Sequence, residues 1–141
     1  MASTLSSAIN ASASALDVQR ARMEVAVSNL ANAESTRGPD GQPYRRRAVV
    51  LETVQPDGEP FSVQAAGVRV AEVVQDQAEF RRRYEPSHPD ADENGFVAVP
   101  NVDVPEEMVD MLGAARAYQA NLTAIGLIRD TVQRALDLAR S

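Results

Sequence analysis

Ile9, Leu16, Met23 and Leu30 recur at every seventh position near one end of the chain. Near the other end a longer 4-3-4-3 rhythm passes through Val104, Met108, Met111, Ala115, Tyr118, Leu122, Ile125, Arg129, Val132, Leu136 and Ala139, with Arg129 its single polar member. Apolar side chains spaced in this way form one stripe on a helix and mark the seam of a coiled coil. The first repeat predicts a helix over roughly residues 5–34, with boundaries good to ~2–4 residues. Leu5, Ala26 and Ala33 fill its second stripe, Ser12 and Gln19 do so more poorly, and Asp17, Arg20 and Glu24 lie off the seam. Gly38 and Pro39, after Ser35-Thr36-Arg37, stop it. The second helix has a well-marked start: Asp103 can cap free backbone N–H groups, Glu106 follows three residues on, and Pro105 is tolerated in a first turn.

Between the helices the hydrophobic period changes to two and the residues become β-branched. Arg45 to Val54, Gly67 to Val74, Phe80 to Tyr84 and Phe96 to Val99 read as strands, punctuated by the turn signals Asp40-Gly41, Asp57-Gly58 and Asn94-Gly95. The expected fold is therefore α+β: long N- and C-terminal helices pairing as an antiparallel coiled coil, with a small, mostly antiparallel β unit between them. The corresponding division is a helical arm over 1–37, a β domain with loops over 38–102 and a C-terminal helix over 103–141. Gly113 and Gly126 weaken that last helix by ~1 kcal/mol each and suit a close approach by another helix.

Composition narrows the function. Aromatic residues make up 4% of the 141 residues and Trp is absent, so a large globular core is not expected. Ala is abundant toward both ends, and Ala-rich helices bury little area and need neighbours. The net charge of -6 has the wrong sign for a nucleic-acid binder. Every basic residue is Arg, which suits bidentate interface contacts. The absence of cysteine excludes disulfides, zinc thiolates and thiol nucleophiles. Residues 1–10 lack the pattern of a secretory signal, and no run reaches the ~20 apolar residues of a membrane span. These signals alone describe a soluble, cytoplasmic protein.

Chemical motifs are sparse. His88, the only histidine, sits among prolines in Pro86-Ser87-His88-Pro89-Asp90-Ala91-Asp92, with no reactive Ser in a Gly-rich elbow. A structural loop is the better reading. Asp90, Asp92, Asn94 and Gly95 match the first half of an EF-hand loop, but Asn101 stands where a bidentate Glu should close it and a strand follows. A hairpin turn accounts for the same residues, leaving a small calcium-binding module as the alternative that calcium titration would separate. The runs Arg45-Arg46-Arg47 and Arg81-Arg82-Arg83 lie on strands, where alternate members point to opposite faces. Each is expected to line a solvated or subunit-facing surface. No catalytic site, cofactor, metal or small-molecule substrate is indicated.

Four blocks carry a resemblance. Ser28-Asn29-Leu30-Ala31-Asn32-Ala33 resembles the signature of bacterial flagellar rod and hook proteins. Gly38-Pro39-Asp40-Gly41-Gln42-Pro43-Tyr44-Arg45-Arg46 looks like the FlgC-type proximal rod family in particular. Tyr84-Glu85-Pro86, continuing through His88 to Val97, fits the same family. So does Pro100-Asn101-Val102-Asp103-Val104, continuing through Glu107-Met108-Val109 and Ala115 to Asn121. Phe96 stands where Tyr is common in the family. The other short proximal rod proteins lack the second and third blocks, and distal rod and hook proteins carry larger inserted domains.

The resemblance implies a structural subunit of the basal-body rod, a shaft that crosses the periplasm and transmits motor torque. It implies export through the flagellar type III apparatus without signal cleavage, which replaces the cytoplasmic expectation with a periplasmic one. Implied partners are other copies and other rod proteins, with no nucleic acid and no membrane insertion. Asn29, Leu30, Ala31 and Asn32 become a candidate assembly motif. Asn29 and Asn32 occupy neighbouring positions on one helix face, and their amides can satisfy backbone groups where the helix ends against another subunit. The candidate seam comprises Ile9, Leu16, Met23, Leu30, Met108, Met111, Ala115, Tyr118, Leu122, Ile125 and Val132.

Overall fold

A computed structural model of the chain describes residues 2–54 and 67–140, with side chains from Leu5 onward. The Asp57-Gly58 turn signal lies outside the described residues. The order of elements is α1 (Ala2–Ala31), β1 (Arg47–Val54), β2 (Gly67–Gln75), β3 (Arg81–Tyr84), β4 (Phe96–Val99) and α2 (Val104–Arg140). The chain is α+β: two terminal helices that pack together, and two small antiparallel sheets, β1-β2 and β3-β4, formed by the sequence between them.

Each boundary has a local cause. At the end of α1, the Asn32 side chain donates from Nδ2 to the Ser28 carbonyl at 2.9 Å and accepts from Ser35 Oγ at 3.2 Å. These bonds close the last turn before Gly38 and Pro39 are reached. The turn that follows is fixed by Gly38 N donating to Gln42 O at 2.7 Å, with Gly41 at φ 76°. At the start of α2, Asp103 Oδ1 accepts from the Glu106 backbone N–H at 3.2 Å, while Oδ2 lies 3.0 Å from Arg81 Nη2. The Glu106 bond first, and then Arg81, hold the Asp103 carboxyl below its ordinary range against a small opposing loss of solvation.

The β3-β4 hairpin pairs Arg81 with Val99, Arg82 with Ala98, Arg83 with Val97 and Tyr84 with Phe96. Alternation places Val97 and Val99 in the interior and Phe96 and Ala98 outside. Tyr84 and Phe96 meet edge to face with centroids 5.3 Å apart. The connecting loop over residues 85–95 ends in the Asp-x-Asn-Gly segment: Asp92 Oδ1 accepts from the Asn94 and Phe96 N–H groups at 2.9 Å each, and Gly95 N donates to Asp92 O at 2.9 Å. Upstream, His88 Nδ1 accepts from the Asp90 N–H at 3.0 Å. The residues that resemble half a calcium loop therefore hold a hairpin turn together.

Contacts divide the chain into two compact units that do not follow chain order. One comprises Met1–Ala21, Val50–Glu72 and Gly113–Ser141, and the other Arg22–Val49 and Val73–Leu112. In the first, Val18 and Ala114 are buried, and Ser14 Oγ accepts from the Val68 N–H at 3.2 Å while donating to Ala11 O. In the second, Ala26, Val97, Val99 and Val102 are buried with Asn29 and Glu107. The buried apolar side chains among the described residues are Val, Ala and Pro100, so neither unit has a core of large side chains.

Gly95 is the position where the backbone leaves least choice. At φ 81°, an added Cβ would lie 2.9 Å from Tyr84 Cε2 and 3.1 Å from Pro86 Cβ. Gly95→Ala is expected to cost about 1–3 kcal/mol for the left-handed backbone alone, and more for the displaced ring. Thermal unfolding of the purified chain measures it, and an unchanged midpoint would contradict this account of the turn.

Candidate functional site: a buried carboxamide joint

Asn29 is fully buried in the last turn of α1, within the second unit. A carboxamide offers two donor hydrogens and two acceptor lone pairs, and here all are engaged. Nδ2 donates to Arg47 O and to Glu107 Oε2, both at 2.9 Å. Oδ1 accepts from the Arg47 N–H at 2.9 Å and from the Tyr44 hydroxyl at 3.0 Å. One side chain thus bonds both backbone groups of Arg47, as a neighbouring strand would. The start of β1 is thereby stitched to α1.

Glu107, 2% exposed, ties the same point to α2. Its Oε2 takes the Asn29 bond, and its Oε1 lies 2.5 Å from Arg46 Nε. Arg46 Nη2 also lies 3.7 Å from Asp110 and 3.9 Å from Glu106. Burial pulls the Arg46 pKa down, but the hydrogen bond and charge of Glu107, with Glu106 and Asp110, outweigh it and the net shift is upward. The Arg46 backbone is held too: its N–H donates to Asn101 Oδ1 at 2.8 Å and its carbonyl accepts from Asp76 N at 2.8 Å. Among the described residues no buried side-chain N or O atom lacks a partner.

The chemistry of this cluster is mechanical. It holds an amide, a guanidinium paired to a carboxylate, and a phenol whose proton is donated to an amide oxygen. Among the described residues no group of three His, Asp or Glu side chains could hold a metal ion. What the cluster does is fix the register of α1, the entry to β1 and the start of α2 by directional bonds.

The residues singled out from the sequence are placed as follows. Asn29 is at the centre of the joint, and Asn32 closes α1 within its own helix. Leu30 is half-buried and Ala31 exposed. Ile9, Leu16 and Met23 are half-buried along α1. On α2 the covered positions include Glu107, Met111, Ala114, Tyr118, Asn121, Ile125, Ile128 and Val132, again a 4-3-4-3 rhythm, with Asp110, Ala117 and Ala124 half-buried at its sides. Met111, Tyr118, Ile125 and Val132 belong to both this rhythm and the apolar one, and Ala115 is half-buried beside them. Met108 and Leu122 are 48% and 54% exposed, because Glu107 and Asn121 take the inward positions. Tyr44, Arg46, Asn101 and Glu107 were not identified as site residues from sequence. The available signal was that all four fall inside the blocks that resemble rod proteins.

Replacing Asn29 should expose how much rests on it. Asn29→Ala strands both backbone groups of Arg47 and one Glu107 oxygen, leaves the Tyr44 hydroxyl with Ser28 Oγ alone, and is expected to cost about 3–5 kcal/mol. Asn29→Asp keeps the shape but sets a second carboxylate against Glu107. Like charges raise the pKa of such a pair in the folded state, so its stability should rise as pH falls and decline as pH rises. Denaturant unfolding at pH 5 and pH 8 checks the sign, and a variant with the opposite slope would rule out the pairing described.

Residues 93–138 match the family described as flagellar basal body rod FlgEFG protein C-terminal. The flagellar basal-body rod protein FlgC of Salmonella typhimurium is 45% identical over 127 residues, covering 90% of this chain and 92% of that protein. The protein of the same name in Bacillus subtilis is 39% identical over 147 residues, covering 94% and 96%. That of Borreliella burgdorferi is 38% identical over 146 residues, covering 94% and 95%. Likeness of this degree over nearly the whole of each chain leaves one assignment: the chain belongs to the FlgC family of flagellar basal-body rod proteins.

Proposed function

We infer that the chain is a structural subunit of the flagellar basal-body rod, without enzymatic activity, that assembles with other copies of itself and with other rod proteins. The observation that carries this is the extended likeness to FlgC proteins of three distant bacteria. The distribution of side chains supports it. The interior holds small apolar groups and a saturated polar joint, while Met108, Val109, Leu112, Leu122, Leu127, Leu136 and Leu138 stand exposed along α2. Large apolar side chains left in water on a helix are the pattern of a surface that another subunit covers.

In this reading the outer face of α2, with the half-buried α1 positions Ile9, Leu16, Met23 and Leu30, packs against neighbouring helices in the shaft, and the Asn29 joint sets the angle at which they are offered. The rod then carries torque across the periplasm. The chain reaches it through the flagellar type III export apparatus, unfolded and without signal cleavage. No helix among the described residues is long and apolar enough to cross a membrane.

Deleting the gene should leave cells non-motile, with basal bodies that lack a completed rod under electron microscopy. Normal rods and filaments would refute the assignment to this shaft.

A finer test separates the helix surface from the fold. Leu122→Asp sets a charge on the proposed interface, whereas Asp130→Ser changes an exposed residue off the apolar rhythm and should be within ~0.5 kcal/mol of neutral in stability. Both variants should be made and exported, and only Leu122→Asp should be missing from purified basal bodies. Equal incorporation of the two would exclude Leu122 from the interface.

A further inference from the structure

Beside the carboxamide joint lies an open cleft of about 550 Å³, all within the second unit. Its walls include Arg37, Gln42, Tyr44, Arg45, Arg47 and Gln75. Three arginines thus line the cleft with a single acidic residue, Asp40, whose Oδ1 is engaged by the Gln42 N–H at 3.1 Å. Arg37 alone has an ion-pair partner, Asp90, at 3.3 Å. Arg45 donates to the Ala78 carbonyl at 3.2 Å and stacks on Phe80 at 4.2 Å from the ring centre. Arg47 lies 5.7 Å above the Tyr44 ring. Neither Arg45 nor Arg47 is paired to a carboxylate among the described residues. In a chain of net charge -6, Arg45 and Arg47 leave this concave surface with an excess of positive charge.

We propose that this cleft receives the tip of the β3-β4 hairpin of a second copy of the chain, with Glu93 of that copy seated against Arg47. The proposal rests on the rod-subunit reading, because it needs copies to lie side by side. Charge complementarity selects the occupant. Asp92, Glu93 and Asn94 are all exposed at the hairpin tip, and the Glu93 carboxylate has no partner among the described residues. The tip is also preorganised, since Asp92 Oδ1 and the Gly95 turn fix its backbone before any partner arrives. A rigid anionic turn loses little freedom on docking. Arginine's planar fork matches a carboxylate through two parallel bonds. Gln42 and Gln75 add neutral donors that can reach backbone carbonyls of the inserted turn.

The chain contains no cysteine, so introduced thiols report on this contact without background. Two differently tagged copies, one Gln42→Cys and the other Glu93→Cys, are expressed together, and basal bodies are isolated and oxidised. A disulfide-linked species carrying both tags is expected. Adding Arg47→Glu to the first copy should reduce its yield at least tenfold, and Arg47→Lys should largely preserve it. Both copies present in basal bodies with no mixed species would overturn the proposal while leaving the rod assignment intact. A yield indifferent to Arg47→Glu would overturn it as well. Absence of both tagged copies from basal bodies would overturn the rod assignment and this proposal together.

Discussion

A single carboxamide, that of Asn29, joins the end of α1 to the entry of β1 and the start of α2. Its importance follows from what surrounds it. Among the described residues the buried apolar side chains are Val and Ala with Pro100, which hold surfaces together but permit them to slide. Hydrogen bonds to Arg47 on one side and Glu107 on another do not permit sliding, because a shift of one residue leaves buried donors and acceptors without partners. The joint therefore supplies specificity in a chain whose hydrophobic interior supplies little. Arg46 completes it by pairing its guanidinium with the Glu107 carboxylate, so neither group is buried without a partner.

The same residues decide which way α2 faces. Glu107 at the first turn points inward, and the positions that follow it at 4-3-4-3 spacing include the small Ala114 and the polar Asn121 between Met111, Tyr118 and Ile125. The larger Met108 and Leu122, each one residue further on, are displaced to the surface. An ordinary globular domain would be arranged the other way, with its bulkiest apolar groups inside. A subunit that meets its neighbours through helices gains from the reverse, because the large groups then bury area in the assembly.

Much of this was legible in the sequence. The four strands, the Asp40-Gly41 and Asn94-Gly95 turns and the Asp103 cap all depend on residues within a few positions of one another, and each formed where expected within a few residues. The 4-3-4-3 rhythm of α2 was legible as well. Its phase was only half legible: Met111, Tyr118, Ile125 and Val132 belong to both possible stripes, and apolar content favours the one through Met108 and Leu122. What selects the other is Glu107, a residue that reads as an ordinary acidic group in a first helical turn. Its true role depends on Asn29, 78 residues earlier, and no periodicity links such a pair. Arg46 was hidden for a related reason, since a run of three arginines gives no sign that its middle member pairs with a buried glutamate.

That separation of 78 residues also orders events in time. The joint draws on residues from Ser28 to Glu107, so it cannot close until three-quarters of the chain is available. Contacts this distant in sequence form late, after the loop between them has been gathered. A chain delivered from its N-terminus, from a ribosome or any narrow passage, keeps Asn29 without its carboxylate partner until residue 107 is free. Until then the Asn29 amide has at most three of its four bonds, those to Arg47 and Tyr44. Closure of the joint is thus a signal of near-complete delivery, and the helix surfaces become correctly presented only in a chain whose C-terminal helix has arrived.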